Sequence, residues 1–183
     1  PFSYKSWRNG FAPEHDKYER FTGFGIPPAK NGDFSFLLHI IRSMRSTGKG
    51  AVILPHGVLF RGNAEAQIRK NIIKRGYIKG VIGLPANLFY GTGIPACIIV
   101  LDKESSASRK GIFMINASKG FIKDGNKNRL REQDIKKITE EVVRQLGDAA
   151  SSDSVEKVLR DTVARVEEKQ PAAAAPPAPT MPS

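Results

Sequence analysis

Cysteine is almost absent. A chain of 183 residues holds one, Cys97, which excludes an internal disulfide and a cysteine-based zinc cluster and fits a reducing, cytoplasmic setting. Long apolar runs are missing too. None reaches the ~18 residues of a membrane span, and the first residues do not follow the signal-peptide pattern, so no membrane association is expected. No P-loop occurs, and no G-x-G-x-x-G follows a strand. The three histidines, His15, His39 and His56, have no cysteine partners, so no metal site is expected. His39 falls in a helical run and reads as structural. His56 lies just past a strand end, where α/β proteins build their sites. Acidic side chains are the other scarcity: 18 Asp+Glu face 29 Lys+Arg, a net charge of +11.

That excess is uneven. Residues 1–150 carry 25 basic and 13 acidic side chains; residues 151–183 carry 4 and 5. The basic field therefore belongs to the globular part, as either a polyanion-attracting surface or an ordinary solvated one. The length suits about one domain.

Residues 1–32 read as one long irregular segment, broken by Gly10, Pro13, Gly23, Gly25 and Pro27-Pro28. Seven aromatic residues between Phe2 and Phe24 favour a packed loop over a disordered one. A helix follows, capped by Asn31 or Asp33, with Phe34, Leu37, Leu38 and Ile41 at helical spacing; Asp33 reads as a cap rather than a general base. Ala51-Val52-Ile53-Leu54 is apolar at every position, the pattern of a strand buried on both faces. Asn63 can cap a second helix, with Ala64, Ile68 and Ile72 as its stripe. Strands are expected at 77–84, 96–101 and 111–117, and a helix at about 130–146 with Ile135, Ile138, Val142 and Leu146 inward. The strands at 77–84 and 96–101 have no helix between them and are expected to pair antiparallel. The alternation as a whole specifies an α/β sheet. Residues 146–170 read as a linker and short helix, and the Ala/Pro run at 171–183 as a disordered tail.

Two loops stand out. Pro55 to Gly62 follows one apolar strand, and Pro85 to Pro95 joins the next two. Both set aromatic residues beside glycines at strand ends. Such rings either stack on a flat ligand such as a nucleobase or tuck under their own loops.

The strings Leu54-Pro55-His56-Gly57-Val58-Leu59-Phe60-Arg61-Gly62, Ile68-Arg69 and Ile82-Gly83-Leu84-Pro85-Ala86-Asn87-Leu88-Phe89-Tyr90-Gly91-Thr92-Gly93-Ile94-Pro95, in that order, resemble the modification (M) subunit of type I restriction–modification systems. These subunits are N6-adenine DNA methyltransferases. Phe24 to Pro28 and Asp33 to Phe36 resemble the stretch that precedes these strings, and the likeness runs from residue 1 to about 140. It implies a doubly wound sheet of seven strands that binds S-adenosylmethionine. Residues 51–54, 77–84 and 96–101 become its fifth, sixth and antiparallel seventh strands.

The family's catalytic motif, Asn-Pro-Pro-Phe, ends the fourth strand. The opening Pro1-Phe2-Ser3 resembles its tail. In the family the Asn side chain and a Pro carbonyl accept the two N–H bonds of the adenine amine, pulling its nitrogen toward tetrahedral geometry, while the aromatic residue stacks on the flipped base. The resemblance thus makes Pro1 and Phe2 catalytic. It puts Phe89, Tyr90, Gly91, Thr92 and Gly93 at the base, with Phe2 and Phe89 as opposite walls of the adenine slot. Arg61, Arg69, Lys70, Lys74 and Arg75 are candidate DNA-backbone contacts, a solvated helix face being the alternative for the last four. The motif's Asn and first Pro, and the glycine-rich turn for the methyl donor, do not occur in the chain. Residues 1–145 are accordingly expected to be the C-terminal part of a partial S-adenosylmethionine-dependent methyltransferase fold, inactive alone. The expected partners are DNA, the missing N-terminal half of the M subunit, and the specificity and restriction subunits. The alternatives are a non-enzymatic nucleic-acid-binding remnant and an inert truncated product.

Overall fold

The computed structural model describes residues 2–146 and Arg160. Three helices, α1 (Asp33–Ser43), α2 (Asn63–Lys74) and α3 (Glu132–Leu146), accompany six strands: β1 (Lys49–Pro55), β2 (Ile78–Gly83), β3 (Ala96–Asp102), β4 (Phe113–Asn116), β5 (Ile122–Asp124) and β6 (Lys127–Arg129). The main sheet runs β1-β3-β2-β4, and β5-β6 form a separate hairpin. Strand β3 lies antiparallel between β1 and β2, pairing Leu54 with Cys97 and Val81 with Ile99. The expected antiparallel pair is therefore present, and β3 separates the two strands that precede it in sequence. Strand β4 runs parallel to β2.

The period-2 alternation of β3 divides the core. Cys97, Ile99 and Leu101 join Leu37, Leu38 and Ile41 of α1 and Ile68 and Ile72 of α2. Ala96 and Ile98 turn the other way, toward Ile135, Ile138 and Val142 of α3. A bulge between Ile78 and Gly80 resets the β2 alternation, so Ile78 and Val81 share the α1–α2 face although three residues apart.

Several details differ from expectation. Residues 51–54 are not buried on both faces: Ala51 is exposed, Val52 and Ile53 are half-buried and only Leu54 is buried, because β1 is an edge strand of this sheet. Asn31 does hold the start of α1, its Oδ1 accepting the Asp33 N–H at 3.1 Å, but Asp33 lies within the first turn and spends its carboxylate elsewhere. Asn63 does not cap α2; it is the helix's first residue, with φ 52°. At α3, Asp134 reaches back to the Arg131 N–H at 3.0 Å, as the acid of a capping box does. The β5–β6 hairpin has no counterpart among the expected elements, its strands being short and polar. Apart from Arg160, which is helical, the last helix and the tail expected after residue 146 lie outside the described residues. Among these, no helix is long and apolar enough to cross a membrane.

The irregular opening segment is packed, as its aromatic content implied. Trp7, Phe11 and Phe21 stand 5.8–6.3 Å apart against the α1–α2 core. Asp16 pins its turn, accepting from Arg20 Nε and Nη2 at 2.8 Å and from the Arg20 N–H at 2.8 Å. The Arg20 guanidinium in turn lies over the rings of Phe11, Tyr18 and Phe21.

Candidate base-binding site

Strands β1, β2 and β4 all run the same way, each being antiparallel to β3 or parallel to β2. Their C-terminal ends therefore share one edge of the sheet, where open α/β folds bind ligands. Three loops emerge there: the 3₁₀ turn His56–Leu59 after β1, the loop 84–95 after β2, and residues 117–120 after β4. The first two touch, the His56 N–H donating to Pro95 O at 2.9 Å. His56 itself is half-buried, with Nε2 facing the open side of Gly83.

The N-terminal segment reaches this edge. Phe2 packs edge-to-face on Phe89, ring centroids 5.3 Å apart and planes at 75°, and both rings rest on the α3-side core. The structure thus brings together two residues 87 positions apart, at one end of the sheet. They touch directly instead of facing each other across a gap. Pro1, expected to be catalytic, lies outside the described residues.

The next residue explains how Phe2 is held. Ser3 adopts φ 51°, a left-handed conformation that costs a non-glycine residue about 1–3 kcal/mol unless its surroundings impose it. Asp33 imposes it: the fully buried carboxylate accepts the Ser3 N–H at 2.7 Å and Arg61 Nη2 at 2.5 Å. Arg61 Nε also donates to Glu65, itself 2% exposed. Burial alone would lower the Arg61 pKa, but the hydrogen bonds to Glu65 and Asp33 reverse the direction and raise it. This Asp33–Arg61–Glu65 triad ties the segment bearing Phe2 to the start of α1 and to the turn after β1. The i,i+4 spacing of Arg61 and Glu65 is visible in sequence. Asp33, 28 positions from Arg61, left no such signal.

Arg61, an expected DNA contact, spends its guanidinium on the buried carboxylates of Asp33 and Glu65. Arg69 is likewise engaged, donating to Val58 O at 3.1 Å and Arg61 O at 3.0 Å. Arg75 donates to Gly23 O at 2.9 Å and lies 4.1 Å from the centre of the Phe24 ring. Lys70 and Lys74 are exposed on α2 and keep their charge available.

The two aromatic loops behave differently. Phe89 tucks partly under its loop. Phe60 is 72% exposed although its neighbours are fixed, Val58 in the core and Arg61 in the triad. Tyr90 and Ile94 are also exposed. Gly91 and Thr92 sit at the loop tip, and Gly93 O accepts the Asn87 N–H at 3.4 Å across its neck.

Neither the glycine turn after β1 nor the cavity between β4 and α3 fits S-adenosylmethionine. The glycine turn after β1 is not an open cradle: a Cβ on Gly57 would fall 2.4 Å from Arg61 Nη1, so the triad's guanidinium already fills that space. The cavity between β4 and α3 sets Lys119, Arg131, Asp134, Lys137 and Glu141 beside small and aliphatic residues such as Ile115 and Ile138, with no aromatic wall for an adenine ring. Among the described residues no cluster of metal-ligating side chains occurs.

An α/β sheet with its loops gathered at one edge, and an aromatic pair built there from the chain's start and the β2–β3 loop, define the class. The chain belongs to the N-6 DNA Methylase family, whose pattern it matches over residues 1–169. It is 36% identical over 127 residues to the type I restriction enzyme MjaVII methylase subunit of Methanocaldococcus jannaschii, covering 67% of this chain and 22% of that one. The MpnII methylase subunit of Mycoplasma pneumoniae is 34% identical over 122 residues, 66% of this chain and 22% of the relative. Among solved structures, the type I restriction-modification methyltransferase subunit from Streptococcus thermophilus superposes with a TM-score of 0.68 at 37% identity, over 91% of this chain and 36% of that one. The chain thus spans about a fifth to a third of the length of these relatives.

Proposed function

We propose that this chain supplies the base-binding side of an N6-adenine DNA methyltransferase of the type I restriction–modification class. The observation that carries the reading is the contact of Phe2 with Phe89 at the C-terminal edge of the sheet in a chain of the N-6 DNA Methylase family. A flipped adenine enters by displacing Phe89 and stacking against the two rings. The exchange is favourable on magnitude: an aromatic pair contributes about 0.5–1.5 kcal/mol beyond its burial, and base–aromatic stacking about 1–3 kcal/mol per base. The surplus helps offset the few kcal/mol of unstacking. The triad holds Ser3 and so aims Phe2, while Tyr90, Gly91, Thr92 and Gly93 let the loop close on the base. Pro1 precedes Phe2 in the same motif tail.

The methyl donor in this reading is S-adenosylmethionine. DNA, a specificity subunit and a restriction subunit complete the assembly in this reading; that the relatives are named methylase subunits of type I restriction enzymes supports a multi-subunit assembly. The test combines this chain with a partner chain carrying the Asn-Pro of the motif and a glycine-rich turn. Adenine methylation of duplex DNA is expected from the pair, none from this chain alone, and a loss of at least ~100-fold in Phe2→Ala. Methyl transfer that survives Phe2→Ala and Phe89→Ala would sink the reading. Salt-sensitive DNA binding with no methylation by the pair would favour a binding module without catalysis.

A further inference from the structure

The loop that carries Phe89 is not held by the sheet alone. The β5–β6 hairpin lies against it and supplies four polar contacts. The Asn128 N–H donates to Asn87 O at 2.9 Å, and its side-chain Nδ2 donates to Ala86 O at 2.7 Å. Lys127 Nζ donates to Phe89 O at 2.7 Å and Thr92 O at 3.4 Å, and stands 5.8 Å from the centre of the Tyr90 ring. Asn128 is 6% exposed, and its Oδ1 has no hydrogen-bond partner among the described residues. A buried amide with one end unsatisfied is costly. Here its satisfied end is spent on the loop. Leu130, which follows the hairpin directly, belongs to the α3-side core, so the hairpin is anchored at its base.

We infer that the β5–β6 hairpin is the positioning element for base capture, with Asn128 and Lys127 as positioning residues that hold the backbone of the Phe89 loop beside Phe2, so that an entering base has only the Phe89 side chain to displace. This rests on the methyltransferase reading. The physical reason is pre-organisation. A loop containing Gly91 and Gly93 has many conformations to lose on closing over a base, and bonds made beforehand by a rigid neighbour reduce that loss. Lys127 grips two carbonyls on either side of Tyr90, so it fixes the loop tip. Asn128 grips Ala86 and Asn87, so it fixes the root. The hairpin also presents Lys123, exposed, and Arg129, paired with Asp124 at 3.1 Å, on the edge that faces the substrate in this reading. DNA that reaches the base loop meets this hairpin too.

The experiment uses the full chain with Asn128→Ala, Lys127→Met and Lys127→Arg. Hydrogen–deuterium exchange of residues 86–94 is expected to quicken at least 10-fold in Asn128→Ala and Lys127→Met, with β3 and α2 unchanged. Lys127→Arg, which keeps a donor, should restore protection. Unchanged loop exchange in both Asn128→Ala and Lys127→Met overturns the inference. Should Asn128→Ala fail to fold, Lys127→Met decides. The second readout is the fluorescence of a duplex with 2-aminopurine at a central position opposite an abasic site, where the base is free to leave the stack. At saturating DNA the gain should fall at least 5-fold in the two loosened variants while duplex Kd stays within about 2-fold. Equal losses in signal and Kd would overturn the positioning role in favour of a general DNA contact. If the wild-type chain binds duplex with no fluorescence gain, the base-capture reading itself fails. The exchange result then still decides whether the hairpin holds the loop.

Discussion

Arg61 shows why a residue's charge does not give its role. Its guanidinium is shared between Asp33, wholly buried, and Glu65, nearly so. Removing one partner of a buried ionic group leaves uncompensated charge and typically costs 3–5 kcal/mol. Arg61→Met is therefore expected to lower unfolding free energy by about that amount, read from denaturant melts. A loss under ~1 kcal/mol would show that the triad is solvated and only incidental. Asp16 makes a pH prediction. The hydrogen bonds from Arg20 hold its carboxyl down at about 2, burial opposing and the Arg20 and Tyr18 amides assisting. Because the folded pKa lies below the unfolded one, the stabilisation is complete above the ordinary Asp range and is lost as pH falls through about 2. It amounts to no more than ~2.5 kcal/mol, a tenfold change in proton affinity being worth ~1.4 kcal/mol. Asp16→Asn should lower stability at pH 6 and flatten its fall between pH 4 and pH 2. Parallel curves for the two proteins would disprove the assignment.

At the scale of elements, the pairing of β2 with β4 depends on a missing side chain. A Cβ on Gly80 would fall 2.0–2.3 Å from ring atoms of Phe113, and these two residues are register partners. The Phe113 ring lies over the bare backbone. Gly80→Ala forces the ring off or the strands apart, an overpacking cost of about 1–3 kcal/mol. Thermal melts should show the loss, and Gly80→Ala combined with Phe113→Ala should recover part of it. A double variant no more stable than the Gly80→Ala single would mean that the ring is not the obstacle.

At the scale of the molecule, β1 leaves one edge of the main sheet unpaired among the described residues, with Ala51 exposed and Val52 and Ile53 only half-covered. Such an edge invites pairing with another chain. Expressed alone, the chain is expected to self-associate, and Ala51→Lys should shift it toward monomer in light scattering. Monodisperse wild-type monomer would count against this account. The net +11 belongs to the same scale. Duplex binding should be weak, independent of sequence and steeply salt-dependent, with log K falling by ~0.9 per phosphate neutralised against log salt. The double variant Lys70→Ala/Lys74→Ala should reduce that slope by about 1–2, while changing stability by no more than ~0.5 kcal/mol. An unchanged slope would remove α2 from the DNA surface.

Much was legible from the chain itself. Helical spacing of Phe34, Leu37, Leu38 and Ile41 marked α1, an unbroken apolar run at 96–101 marked β3, an apolar-rich run interrupted by Lys79 marked β2, and the absence of a helix between the two implied their antiparallel pairing. These are local signals, written in periodicity and in the residues that stop an element. The Gly125-Asn126 turn was a hairpin signal too, but the flanks are three-residue polar strands whose stability comes from the loop they brace, so their own composition did not announce them. Tertiary structure alone decided three things: that β3 enters between β1 and β2, leaving β1 half-covered; that Asp33 closes on Ser3 and Arg61; and that Asn128 grips the loop bearing Phe89. Each depends on groups about 28 or more positions apart. Sequence sets which side chains must be buried or satisfied. Which distant partner satisfies them is settled only when the chain closes into its sheet.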